Sequence, residues 1–390
     1  MNWKKINELP TPSYLIDEKQ LKANGEVLKA LQEKTSCKVL LAQKAFSAYD
    51  IYHVIEPYIA GTEASGLYEA RLGAEEMPNK ECHVFCGAYK EEEFEELLTY
   101  ADHIVFNTPY QLHKFGPQAK AAGKEVGLRI NPERSTQSHG IYDPCSEGSR
   151  LGTTLAQWQE NMTEADIELL DGLHFHTLCE QGSEDFAKTL EAVEEKFGKY
   201  LANLKWLNCG GGHYITNKGY NLPLLEELLI SIHEKYGVQM YLEPGEAVVL
   251  NAGYLLTTVL DLTKNGAYNL CIVDCSGACH MPDVIEMPYT PPLVSAKKPG
   301  ELPYTYRLGG QTCLAGDVIG EYSFDHVLER GERLAFADMA LYTMVKNNTF
   351  NGMPLPSIYT MQEDGTIKLI KKFGYDDFKY KLGSKLSVQP

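Results

Sequence analysis

Short apolar runs alternate with amphipathic stretches along the first two thirds of the chain. The runs occupy 38–43 (KVLLAQ), 57–61 (PYIAG), 83–87 (HVFCG), 103–106 (HIVF), 126–131 (VGLRIN), 173–177 (LHFHT), 205–209 (KWLNC) and 239–243 (QMYLE). Each is short enough to be a strand buried on both faces. Between them lie helix-like segments such as 64–76, 90–100 and 184–203. The last sets Phe186, Leu190, Val193 and Phe197 on one helical face. Eight strands alternating with helices predict a (β/α)8 barrel over 23–246. Beyond it the pattern changes to alternating, β-branched segments (YLLTTVLDLT, NLCIVDC, PYTYRLGG, ERLAFADM) cut by Gly, Pro and Asn, which predict a β-rich domain over 247–390. The strand-like segment 12–17 (PSYLID) places residues 1–22 with that second domain. The predicted fold class is therefore α/β, a barrel plus a β-rich C-terminal domain joined by an N-terminal strand.

Composition narrows the function. With 390 residues, 44% hydrophobic and 23% charged, the chain can bury a core, which excludes disorder, collagen and coiled coil. The 36 basic and 53 acidic residues leave a net charge of −17, which opposes a nucleic-acid partner and favours cationic ligands, or simply keeps the protein in solution. No apolar run approaches the roughly 20 residues of a membrane span. The N-terminus lacks a signal-peptide pattern, so a cytoplasmic location is expected. Ten cysteines then read as free thiols. Cys82 with Cys86, and Cys271, Cys275 and Cys279 with His280, have spacings that make a metal site conceivable. However, Cys271 to Asp274 reads as a buried strand and Gly277 as a turn, so no metal is expected.

Barrel enzymes carry their chemistry at the carboxyl ends of the strands. There the sequence places Lys44, Arg129, His174 and His176, Gly210-Gly211-Gly212, and Glu243. Each has a plain reading: a surface lysine, satisfied core histidines, a turn, a carboxylate capping a helix or pairing with a lysine. Each also has a chemical one. A partly desolvated lysine is an amine nucleophile for an aldehyde. A glycine run admits an anion to backbone N–H groups. A strand-end imidazole stacks on an aromatic ring, and a carboxylate keeps a pyridine nitrogen protonated. Together they are what pyridoxal 5′-phosphate (PLP) requires.

At these residues the chain resembles the barrel-type PLP decarboxylases of basic amino acids, of alanine-racemase-like fold. The shared segments run in order through PSYLID, LLAQKAFS, GTEASGLYEARLG, LRINP, SRLG, LHFHT, LNCGGG, YLEPGE, GQTCLAGD and ADMALYTMVKNNTFNG. Within that family it looks most like the branch that decarboxylates carboxylated polyamines in polyamine synthesis. The resemblance implies that Lys44 bonds the cofactor aldehyde, His176 stacks on its ring, and Gly210, Gly211 and Gly212 meet its phosphate. It further implies that Glu243 pairs with the pyridine nitrogen, Arg129 lies near the cofactor and Tyr342 reaches the cofactor or its phosphate. Cys313 is the implied catalytic cysteine, supplied from the other subunit of a homodimer, with Asp317 an acidic substrate contact. Departures select the substrate. Leu314 stands where diaminopimelate decarboxylases place Glu, and Glu286, in VIEMPY, where they place an Arg for the distal carboxylate. A carboxylate in place of a guanidinium inverts the preferred ligand charge. Glu246, in EPGE, and Cys179 replace residues that touch phosphate in relatives. The alternatives are a diaminopimelate, ornithine or arginine decarboxylase of the same fold, a racemase, and a non-catalytic PLP-binding regulatory protein. The last is expected to lack Lys44 or Cys313.

Overall fold

A computed structural model describes residues 2–137, 140 and 143–384. Sixteen strands are defined among them. These are β1 (Ser13–Asp17), β2 (Lys38–Ala42), β3 (Gly61–Ala64), β4 (Glu81–Phe85), β5 (His103–Phe106), β6 (Glu125–Arg129), β7 (Gly172–His174) and β8 (Trp206–Asn208). They continue as β9 (Gln239–Leu242), β10 (Gly253–Asn265), β11 (Tyr268–Val273), β12 (Tyr304–Gly309), β13 (Val318–Phe324), β14 (Arg333–Ala337), β15 (Ser357–Met361) and β16 (Ile367–Lys371). The chain divides into two compact units, Lys22–Val248 and Met1–Leu21 with Val249–Pro390.

The first unit is a closed parallel barrel, β2 to β9, with helices between the strands. It closes where Lys38 and Val39 of β2 pair with Tyr241 and Leu242 of β9. The helix Ser183–Leu201 buries Phe186, Leu190, Val193 and Phe197, the face its spacing predicts. Helix Pro109–Ala121 starts on a proline, where no N–H is needed, with the Thr108 side chain accepting from the Gln111 N–H. Inside the barrel Leu40, Val105, Trp206 and Tyr241 form one apolar layer. Trp206 fits there because its neighbours on β6 and β7 are glycines. A Cβ on Gly172 would lie 2.0 Å from its indole, and one on Gly127 2.3 Å.

One strand lies elsewhere than the apolar pattern predicts. The run 57–61 is not a strand, because Glu56–Tyr58 form a 3-10 turn with proline at its start. β3 is instead Gly-Thr-Glu-Ala, polar in sequence yet buried at all four positions.

The second unit is a twisted sheet in the order β13-β12-β11-β10-β1-β15-β16, with β14 also paired to β10. β1 runs antiparallel to β10 and parallel to β15. Leu15, Leu256, Ala335 and Met361 pack with Ile6 as its core. No helix among the described residues is long and apolar enough to cross a membrane.

Candidate active site

Lys44 follows β2 by two residues, at the carboxyl end of the barrel, with its side chain about one third exposed. The Gln43 N–H donates to the Glu63 carbonyl at 3.1 Å, and this ties the turn that carries Lys44 to β3. The Lys44 ammonium lies 3.7 Å from Glu63 Oε2.

Glu243 follows β9 and is buried. Its Oε2 is 3.0 Å from His174 Nε2, and its Oε1 accepts from Asn208 Nδ2 at 2.6 Å. Burial alone would raise the carboxyl. The His174 contact, with the positive charge of Lys44, outweighs burial and holds it below the ordinary carboxylate range. Burial pushes His174 down, so its neutral ring donates from Nε2 and leaves Nδ1 bare. Glu243 is thus a fixed anion with two neutral donors.

His176 points into the same region. Burial pushes it well down, and the positive charges of Lys44 and Arg129 push the same way, so the ring is neutral. The Gly211 N–H donates to its Nδ1 at 2.9 Å, which fixes the ring orientation. Arg129 ends β6, buried, with its guanidinium donating to the His176 carbonyl at 3.2 Å and lying 4.5 Å from the Phe85 ring centre. Phe85 in turn stacks on His174 at 5.4 Å. Burial lowers Arg129 to about 10, which leaves it charged.

The glycine turn after β8 exists for close approach. Gly210 and Gly212 have φ of +67° and +80°. A Cβ on Gly212 would sit 2.0 Å from the Leu178 carbonyl, and one on Gly211 2.4 Å from the Glu243 carbonyl. Two of the three N–H groups are used within the protein, Gly210 on Asn208 Oδ1 at 2.9 Å and Gly211 on His176 Nδ1. The turn therefore orients Asn208 and His176 as well as offering a cradle.

The donor set fits PLP. It offers an amine, a neutral imidazole edge-held by Gly211, and a carboxylate kept ionised for a protonated ring nitrogen. Buried polar atoms without hydrogen-bond partners, Glu63 Oε2 and Thr177 Oγ1, belong to the same strand ends. Glu63 and Asn208 were not singled out by sequence. The available signal for Glu63 was a carboxylate inside a strand that the barrel must bury, and for Asn208 its place two residues before the glycines.

The remaining residues lie in the sheet unit. Cys313 is exposed, and its N–H donates to Asn351 Oδ1 at 2.9 Å. Asp317 is buried and already satisfied. Oδ2 accepts from Ser276 Oγ at 2.8 Å and from Thr312 Oγ1 and N at 2.7 and 3.3 Å, while Oδ1 accepts from the Ala278 N–H at 3.2 Å. Four donors use the acceptor capacity of a carboxylate, so in this structure Asp317 fastens the loop that presents Cys313. Glu286, about half exposed, and Asp283 both hold the Lys346 ammonium. Tyr342 lies in the turn after β14, half-buried, with its carbonyl accepting from the Lys346 N–H at 2.8 Å.

All ten cysteines are unpaired, and Cys271, Cys275 and Cys279 are buried. Among the described residues the ligating atoms that gather are those of Glu81, His83 and His103, within 4.8 Å of one another around β4 and β5. The two rings are stacked 3.8 Å apart at 18°, so their in-plane lone pairs run side by side rather than converging, and Glu81 is paired with Lys38. That arrangement is a packed imidazole pair.

A lysine at the mouth of the first barrel strand, an ionised carboxylate across from it and a separate sheet unit together define the alanine-racemase-type fold of PLP decarboxylases. The family model for pyridoxal-dependent decarboxylases, described by their C-terminal sheet domain, matches residues 14–340. The chain belongs to the pyridoxal-dependent decarboxylase family. It is 40% identical to a carboxynorspermidine/carboxyspermidine decarboxylase of Campylobacter jejuni, over 95% of this chain and 98% of that one. It is 38% identical to a carboxyaminopropylagmatine decarboxylase of Synechocystis, over 97% of each. The crystal structure of carboxynorspermidine decarboxylase from Campylobacter jejuni, complexed with norspermidine, superimposes with a TM-score of 0.88 at 40% identity, covering 96% of this chain and all of that one.

Proposed function

We propose that this enzyme removes the carboxylate from carboxynorspermidine or carboxyspermidine, yielding norspermidine or spermidine. The observation that carries the cationic-substrate reading is the pair Asp283 and Glu286, which holds an ammonium group, that of Lys346. Bound PLP supplies the electron sink for the pair of electrons left when carbon dioxide departs. Lys44 provides the amine that anchors the cofactor. Glu243, held ionised, would keep a ring nitrogen protonated, and neutral His176 would lie against the ring face without competing for charge. Arg129 balances Glu243, the Gly210–Gly212 turn would hold the phosphate, and Tyr342 is the further residue proposed to reach the cofactor. Cys313 Sγ returns a proton to the carbon that lost its carboxylate. Asp317 holds the Cys313 loop, and Glu286 receives an ammonium group of the substrate tail.

The exposure of Cys313 in the single chain supports a homodimer in which this cysteine serves the other subunit's barrel. Ten unpaired cysteines support a reducing location, the cytoplasm. A second substrate, carboxyaminopropylagmatine, is favoured by the 38% identity to the Synechocystis relative. Carbon dioxide release from carboxynorspermidine, carboxyspermidine, carboxyaminopropylagmatine, diaminopimelate and ornithine, each with PLP, tests the reading. The expected kcat/KM is highest for the first two. A preference for carboxyaminopropylagmatine selects the second substrate, and a preference for diaminopimelate or ornithine refutes the proposal.

A further inference from the structure

Glu63 is a carboxyl group in an expensive place. Its side chain is 1% exposed on β3, and its Oε2 has no hydrogen-bond partner. An unsatisfied buried carboxylate costs several kcal/mol and is seldom retained for packing alone. The Lys44 ammonium is 3.7 Å from that bare oxygen. The Gln43–Glu63 backbone hydrogen bond holds the two strand ends in register, so the approach is built into the barrel.

The charged and titratable groups around it are Lys44 beyond β2, Glu69 on the helix Leu67–Glu76, Arg129 on β6 and Glu243 beyond β9, with Cys82 and Tyr89 on the β4 side. Glu63 and Glu243 share this setting yet differ in their donors. Glu243 has two side-chain donors, whereas Glu63 Oε2 has none and faces an amine. Burial pushes Glu63 up to about 8, with Lys44 opposing and Glu243 reinforcing, while Glu243 is held down. Two carboxyl groups driven apart in this way take different roles, one a permanent anion and the other a proton carrier.

We propose that Glu63 is the proton partner of Lys44, its carboxylate taking a proton from the Lys44 ammonium and its carboxyl group giving it back. One N–H bond breaks as one O–H bond forms, and no other reactant is needed. The amine is then neutral when it must attack a carbonyl carbon and protonated when it must remain displaced. This rests on the reading of Lys44 as the cofactor-anchoring amine.

The test uses the full chain freed of cofactor. Reductive methylation of Lys44 by formaldehyde and cyanoborohydride is followed across pH 6–11 by mass spectrometry of the Lys44 peptide. The wild type is expected to give two inflections, because the pair titrates in two steps. Glu63→Gln is expected to give one, with kcat lower by about 100-fold or more, the usual yield of a positioned acid–base group, and KM changed less than threefold. Glu63→Asp, one methylene shorter, is expected to restore the second inflection and part of kcat. If Glu63→Gln does not fold, the Asp variant decides alone, with a shifted second inflection expected. Two inflections and a wild-type kcat in Glu63→Gln, or an unshifted profile in the Asp variant, overturn the proposal. A failure of the underlying reading is distinguished by borohydride reduction of the wild-type holoenzyme, which then leaves no pyridoxyl group on Lys44.

Discussion

Gly211→Ala is a one-atom perturbation aimed at the point where three site residues meet. Gly211 has no left-handed backbone to defend, so the consequence is steric alone. The new Cβ would stand 2.4 Å from the Glu243 carbonyl oxygen and 3.3 Å from His176 Cε1. Ordinary contact begins near 3.4 Å, so Glu243 must retreat by about 1 Å. Glu243 cannot retreat freely, because its N–H donates to the Gly210 carbonyl at 2.8 Å and its carboxylate accepts from His174 and Asn208. Overpacking a tight site of this kind costs about 1–3 kcal/mol. For a unit of 227 residues, Lys22–Val248, that corresponds to a fall in Tm of roughly 2–12 °C. The strain falls on Glu243 and His176, so PLP affinity, measured by absorbance titration of the cofactor-free protein, is expected to drop about tenfold or more. A Tm within 1 °C of wild type together with an unchanged Kd would refute the reasoning, since it would mean that β8 and β9 part without cost.

Other perturbations probe the remaining parts. Glu286→Arg inverts the charge of a half-exposed ammonium contact, so activity on a carboxylated polyamine is expected to fall at least tenfold and weak activity on diaminopimelate to appear; unchanged kinetics on both substrates remove Glu286 from the site. Asp317→Ala strands four donors around the Cys313 loop at about 1–3 kcal/mol for each buried one. Hydrogen exchange at residues 310–317 should then quicken at least tenfold, and unaltered exchange would show that the carboxylate does not fasten the loop. Acid should destabilise the fold through His213 and His280, which burial holds at about 4. An unfolded histidine takes up its proton near 6.5, so stability is lost as pH falls from 6.5 towards 4, by about 2 kcal/mol per histidine at pH 5. Urea unfolding midpoints that coincide at pH 7 and pH 5 would contradict this.

How far the sequence carried the structure follows from where the apolar pattern was obeyed. β2, β5, β6 and β9 fall on their predicted runs because strands buried on both faces must be nearly uniform in polarity. β3 was misplaced by several residues because its sequence, Gly-Thr-Glu-Ala, is polar although all four positions are buried. Glu63 breaks the apolar run, and the true hydrophobic segment before it, Pro57-Tyr58-Ile59, is bent by proline. Lys44, His176 and Glu243 lie just beyond the ends of β2, β7 and β9, where the sequence placed them and where a barrel displays its functional groups. Asp317 illustrates the opposite case. The family resemblance implies a substrate contact for it, and the fold adds that Ser276 and Thr312 converge on its carboxylate. Hydrogen-bond saturation is a property of distant segments brought together, which one-dimensional spacing does not contain.

The measurement that bears most directly on the account is borohydride reduction of the purified holoenzyme followed by peptide mapping. The account predicts a pyridoxyl group on the Nζ of Lys44, and loss of the visible absorption band in Lys44→Ala. A label on another lysine, or a band that survives in Lys44→Ala, would contradict it.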